Sequence, residues 1–141
     1  MVLISNNCTH IDFDETIACN AAFATLKAHG SEDCEVSILL TDDAEIQGLN
    51  RQYRKLDAST DVLAFAMREG TAGDLNPQLL GDLVISVPTA QRQSVAHEHS
   101  LETELAVLTV HGTLHLLGYD HQTPEEARIM FKKQEVVLSL I

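Results

Sequence analysis

The segment His111-Gly112-Thr113-Leu114-His115-Leu116-Leu117-Gly118-Tyr119-Asp120-His121 restricts the fold more than any other part of this chain. Residues four apart on an α-helix share a face, so His111 and His115 aim at one point if the run before Gly118 is helical. A helix continued past Gly118 would carry the third histidine beyond that point. Glycine takes the left-handed conformation that ends a helix and reverses the chain, which lets His121 swing back. Three neutral imidazoles suit zinc at about 2.0–2.1 Å and leave the fourth tetrahedral position open. An open position holds water, and zinc lowers the pKa of that water towards roughly 7. The spacing therefore predicts one Zn2+ on His111, His115 and His121, with the zinc-bound water as a catalytic group.

The pattern H-x3-H-x2-G-x2-H shares its spacing with metzincin proteases, which carry a glutamate directly after the first histidine. Here that position is Gly112. The general base of such peptidases is missing, which argues against peptide hydrolysis by that route and leaves other metal-assisted hydrolysis open. A structural zinc without catalysis is the other alternative, although such sites usually have four protein ligands. The three cysteines, Cys8, Cys19 and Cys34, lie far from the histidines in the sequence and include no C-x-x-C, so neither a disulfide framework nor a cysteine zinc knuckle is expected. Free thiols fit a reducing cytosol. His10, His29, His97 and His99 show no comparable spacing and read as surface or capping residues.

Around this segment the elements follow from periodicity and punctuation. Val2 to Ile4 reads as a short strand. Asp12 and Glu15 form a capping box for a helix that Gly30 stops. Cys34 to Leu40 alternates as a strand. Asp42, with Glu45 at the reciprocal position, caps a helix carrying Ile46, Leu49 and Tyr53 on one face. Val62 to Ala66 and Asp82 to Val87 read as strands, the second opened by Gly81, and Glu69 to Gln78 between them reads as a loop. Pro88 begins a short helix ending near His97. Ser100 caps the histidine helix, which runs toward Leu117. Thr123-Pro124-Glu125-Glu126 starts a last helix reaching about Leu138. The order predicts an α+β domain spanning residues 1–141, with a small mixed four-stranded sheet and about five helices.

Charge narrows the partners. The net charge is −12, with only nine Lys and Arg residues. That works against nonspecific adhesion to nucleic acid or anionic membrane, so any RNA must meet a local basic patch. Arg51, Arg54 and Lys55 fall within five positions, and with Arg68 they form a candidate basic lip. The plain alternative is an ordinary solvated face, with Arg54 a helix-end cation paired with Asp57. No apolar run approaches the roughly 20 residues needed to span a bilayer, and the first residues lack the pattern of a signal peptide. A cytoplasmic protein without membrane or DNA partners is expected.

The histidine segment, including Gly118-Tyr119-Asp120, closely resembles the signature of the YbeY family of rRNA-processing endoribonucleases. Two further segments agree: Leu49 to Asp57 followed by Thr60 to Phe65, and Leu80-Gly81-Asp82-Leu83-Val84-Ile85-Ser86. The resemblance extends over essentially the whole chain. It implies a zinc ion on His111, His115 and His121, a functional Arg54, and single-strand-specific endoribonuclease activity in 16S rRNA 3′-end maturation and ribosome quality control. The implied partners are rRNA and the small ribosomal subunit or its associated factors. The chain departs from the family at Ser59, where proline is frequent, and at Ala64-Phe65-Ala66, where Ser-Phe-Pro is frequent. In this reading the metal polarises a phosphate oxygen or activates its water, and Arg54 offsets phosphate charge with its planar fork. Asp120 either orients a ligand imidazole or caps the turn. Tyr119 packs against the last helix or touches substrate.

Overall fold

The computed structural model describes residues 1–67 and 78–141, so Arg68 and most of the Glu69 to Gln78 loop lie outside the described residues. Alternating apolar residues build the strands β1 (Val2–Asn6), β2 (Glu35–Thr41), β3 (Val62–Ala66) and β4 (Leu79–Ser86). They form one sheet in the order β1-β2-β4-β3. β1, β2 and β4 run parallel, and β3 pairs antiparallel with β4 at the edge. The sheet is mixed, as expected. Strand β4 begins three residues before the expected Asp82, because Leu79 to Gly81 already pair with β2 on one side and, at Gly81, with Ala66 of β3 on the other.

Five helices stand among the described residues: α1 (Thr16–Ala28), α2 (Asp43–Arg54), α3 (Val87–Ala96), α4 (Leu101–Leu116) and α5 (Pro124–Leu138). Their starts follow local chemistry. Asp42, Ser86, Ser100 and Thr123 each accept a hydrogen bond from the backbone N–H three residues on. Two expectations are corrected here. α1 does not start from a box of Asp12 and Glu15. Instead the Asp14 carboxylate accepts from both the backbone N–H and the hydroxyl of Thr16, an Asx turn that sets the first residue of the helix. At α2 the Glu45 side chain turns to the Thr41 hydroxyl and the Asn7 amide instead of back to Asp42, because these donors on the neighbouring strand ends are within reach.

The main core lies on one face of the sheet. Val36, Ile38, Leu40, Leu83 and Ile85 meet Ala18, Ala22 and Leu26 of α1 and Leu105 and Leu108 of α4. On the other face Ile46 of α2 covers Leu63 and Val84. α5 docks Met130 and Val137 against Ala21 of α1 and Ala106, Val110 and Leu114 of α4. α4 therefore touches α1, α3, α5, β3 and β4 and is buried on nearly every side. Its polar Thr109 and Thr113 are wholly buried, and their hydroxyls donate to the carbonyls of Leu105 and Thr109 at 2.7 Å, which removes the cost of an unpaired buried group. No helix among the described residues is long and apolar enough to cross a membrane.

The approach of α4 to the sheet is closest at Gly112. A Cβ there would lie 2.7 Å from Leu83 Cδ2 and 3.3 Å from Val62 Cγ2. Position 112 is therefore a packing glycine, and the glutamate that metzincins carry after their first histidine would run into the sheet. Gly112→Val should destabilise the protein by about 1–3 kcal/mol, the usual range for overpacking a filled core. Urea unfolding of the metal-free protein measures this; an unchanged midpoint would show that the helix can lift without cost.

Candidate metal centre

Helix α4 is buried, and its last turn brings His111 and His115 to its one open edge. Past Leu116 the chain ends the helix in a Schellman turn. The N–H of Tyr119 bonds to the carbonyl of Leu114 and that of Gly118 to the carbonyl of His115, each at 3.0 Å. Gly118 has φ of 104°, in the region that favours glycine. The Asp120 carboxylate then accepts the N–H of His121 at 2.8 Å, so Asp120 caps the turn. The result is the convergence expected from the spacing: one nitrogen from each of His111, His115 and His121 lies within 4.8 Å of the others. Ring centroids are 4.8 Å apart for His111 and His115, 5.1 Å for His115 and His121, and 5.5 Å for His111 and His121.

Two residues of α5 complete the surroundings, and sequence reasoning missed both. Phe131 stacks at 6.2 Å from both His111 and His121. Gln134 places its amide oxygen 3.0 Å from His111 Nδ1. Burial, with the neighbouring His111 and His121 adding to it, holds the His115 pKa below the usual histidine range, against an opposing pull from Asp120 and the Tyr119 backbone. His115 is thus kept in the neutral form that a metal requires. The three imidazoles fit a divalent ion by donor type and mutual reach.

The histidines line a cleft of about 660 Å³ whose other lining residues include Arg54, Asn50, Asp61, Ala64 and Tyr119. Arg54 reaches this cleft from the last turn of α2. Its Nη2 donates to the Ala64 carbonyl and its guanidinium lies 5.3 Å from the centre of the Phe65 ring. Arg54 is therefore not paired with Asp57, which instead takes Gln47 Nε2 at 3.0 Å and lies 4.0 Å from Arg51. Arg51 and Lys55 are exposed and do not line the cleft. Tyr119 meets His29 edge to face at 5.8 Å and joins the cluster between α1, α4 and α5.

A second group of metal-capable side chains among the described residues is His97, His99 and Glu104. Glu104 is 2% exposed, and its two oxygens sit 2.9 Å from His97 Nδ1 and 3.0 Å from His99 Nε2. Glu98 between the histidines has φ of 58°, which turns both rings onto the carboxylate. The sequence reading of His97 and His99 as surface or capping residues did not anticipate this pairing, because nothing local marks Glu104 as buried.

Comparison with known proteins agrees with this architecture. The family model described as Endoribonuclease YbeY matches residues 4–141. A Pelotomaculum thermopropionicum protein named Endoribonuclease YbeY is 52% identical over 143 residues, covering 97% of this chain and 94% of its own. A protein of the same name from Oceanobacillus iheyensis is 44% identical over 146 residues, covering 92% and 95%. The chain belongs to the YbeY family. Its fold also matches the solution structure of a Thermotoga maritima protein, with a TM-score of 0.63 at 24% identity over 98% of this chain and 87% of that one.

One expectation for this YbeY protein follows from His115. The unfolded chain takes up a proton near the ordinary value of 6.5, whereas the folded protein resists it to lower pH. The stability linked to this group is fully present above about 6.5 and is lost as pH falls through the lowered folded value. Urea midpoints of the metal-free protein should therefore fall more between about pH 7.5 and about pH 5.5 in the wild type than in His115→Gln. Equal slopes would assign the acid sensitivity elsewhere.

Proposed function

We propose that this protein is a zinc-dependent, single-strand-specific endoribonuclease that acts in 16S rRNA 3′-end maturation and ribosome quality control in the cytoplasm, with the whole chain forming one catalytic domain. Family membership supports RNA as the substrate. The observation that carries the metal-dependent part is the convergence of three imidazole nitrogens within 4.8 Å in a cleft that Arg54 also lines. His111, His115 and His121 would hold the ion. When bound there, a divalent ion supplies Lewis-acid polarisation and a water of lowered pKa.

The chain's own residues do the rest. Arg54 is held by the Ala64 carbonyl and the Phe65 ring, and it lines the cleft with N–H groups to spare. A guanidinium held in this way can bind two phosphate oxygens and offset their charge. Asp61, which also lines the cleft, is tied to the Val62 N–H at 2.8 Å and to Gln93 Nε2 at 3.2 Å, which limits the carboxylate's repulsion of the phosphate chain. Arg51 and Lys55, just outside the cleft, and Arg68 beside the edge strand in sequence would guide the RNA backbone toward it.

Purified protein should cut single-stranded rRNA fragments. His115→Ala, with its fold intact, should lose at least about 100-fold in rate, the scale expected when a metal ligand or a key charge stabiliser is removed. Arg54→Glu should be similarly impaired. Equal cleavage by the wild type and His115→Ala would remove the metal site from the chemistry. RNA binding should also weaken with salt, with a log–log slope of about −0.7 for each phosphate neutralised. A flat response would exclude the basic lip.

A further inference from the structure

Among the polar residues of α5, Gln134 is out of place. Met130 and Val137 are the two wholly buried residues of this helix, and Gln134, four beyond one and three before the other, lies on the same stripe. Gln134 itself is half-buried, so its amide gives up part of its hydration, which a hydrogen bond can replace. Gln134 recovers it at His111 Nδ1, 3.0 Å from its amide oxygen.

We infer that Gln134 is a positioning residue for the metal centre, one that selects the tautomer and fixes the ring plane of His111. The inference rests on the reading of His111, His115 and His121 as metal ligands and extends it to a residue outside that set. An amide oxygen only accepts, so with that oxygen set against Nδ1 the tautomer we infer for His111 carries its proton on Nδ1. The lone pair then resides on Nε2, the nitrogen left free to face His115 and His121. Without the acceptor, His111 divides its time between two tautomers and can rotate about its side-chain bonds. Only a fraction of molecules would then present three lone pairs at once. Such outer partners of ligating histidines typically govern affinity by about 10–100-fold. The second helix thus reaches across to the first: α4 supplies the ligand, and α5, anchored on α1 and α4 by Met130 and Val137, sets its orientation.

The test is metal affinity, read by competition between the full-length protein and a chromophoric chelator for Zn2+. Gln134→Leu should bind zinc about 10–100-fold more weakly than the wild type, with its helix content and urea midpoint in the metal-free state preserved. Gln134→Glu restores an acceptor and should return affinity to the wild-type level or above, which a purely packing role would not require. Long-range nitrogen–proton NMR on the metal-free protein should show His111 with its proton on Nδ1 in the wild type and in Gln134→Glu, and mixed tautomers in Gln134→Leu. Should leucine disturb the fold, Gln134→Met keeps an unbranched helix former with a much weaker acceptor and makes the same comparison. Wild-type affinity in a folded Gln134→Leu or Gln134→Met would overturn the inference while leaving the metal centre standing. Absence of stoichiometric zinc binding by the wild type itself, or binding indifferent to His115→Ala, would overturn both.

Discussion

The seating of α4 on the sheet governs everything else in this structure. A helix packed by sheet on one side and by α1, α3 and α5 on others must be apolar around most of its circumference, and this one is. The contact is tight enough that a Cβ at position 112 would stand 2.7 Å from a methyl of Leu83, which would have to shift. The histidines near that glycine stand on a helix packed directly against β3 and β4. A rigid buried element thus carries the groups that need accurate placement. The less ordered task of reversing the chain falls to Gly118 and the Asp120 cap.

Much of this was legible because it is written in short-range chemistry. The caps at Asp42, Ser100 and Thr123, the alternation in β2 and the glycine-ended histidine helix each depend on residues a few positions apart, and each appears where the sequence places it. The errors share a different origin. Asp14, not Asp12, sets the start of α1, since two nearby carboxylates offer similar local signals and only the path of the chain chooses between them. The alternative that paired Arg54 with Asp57 rested on proximity in sequence, and Arg54 instead crosses to the Ala64 carbonyl on β3. His97 and His99 show no telling spacing in the sequence, yet both rings reach the buried carboxylate of Glu104. Phe131 and Gln134 belong to a helix that sequence spacing relates only to itself. Contacts between elements are the part that periodicity does not encode.

The electrostatics of the cleft follow from the same architecture. A chain with net charge −12 repels an RNA backbone at long range. The cleft counters this with one braced guanidinium and with carboxylates tied into hydrogen bonds: Asp120 on the His121 N–H, Asp61 on Val62 and Gln93. A divalent ion on the histidines would add the largest local positive charge in the cleft. Attraction for a polyanion would in that case be concentrated at the histidines instead of spread over the surface, which favours grip at a single phosphate over adhesion along a strand.

Docking of α5 has a consequence for the order of events during synthesis. A nascent chain that has extended only to the Asp120 turn and His121 already carries all three imidazoles. It still lacks the aromatic wall of Phe131, the amide of Gln134 and the anchors Met130 and Val137, which leaves Val110 and Leu114 uncovered. The surroundings of the centre are complete only once α5 has folded back onto α1 and α4.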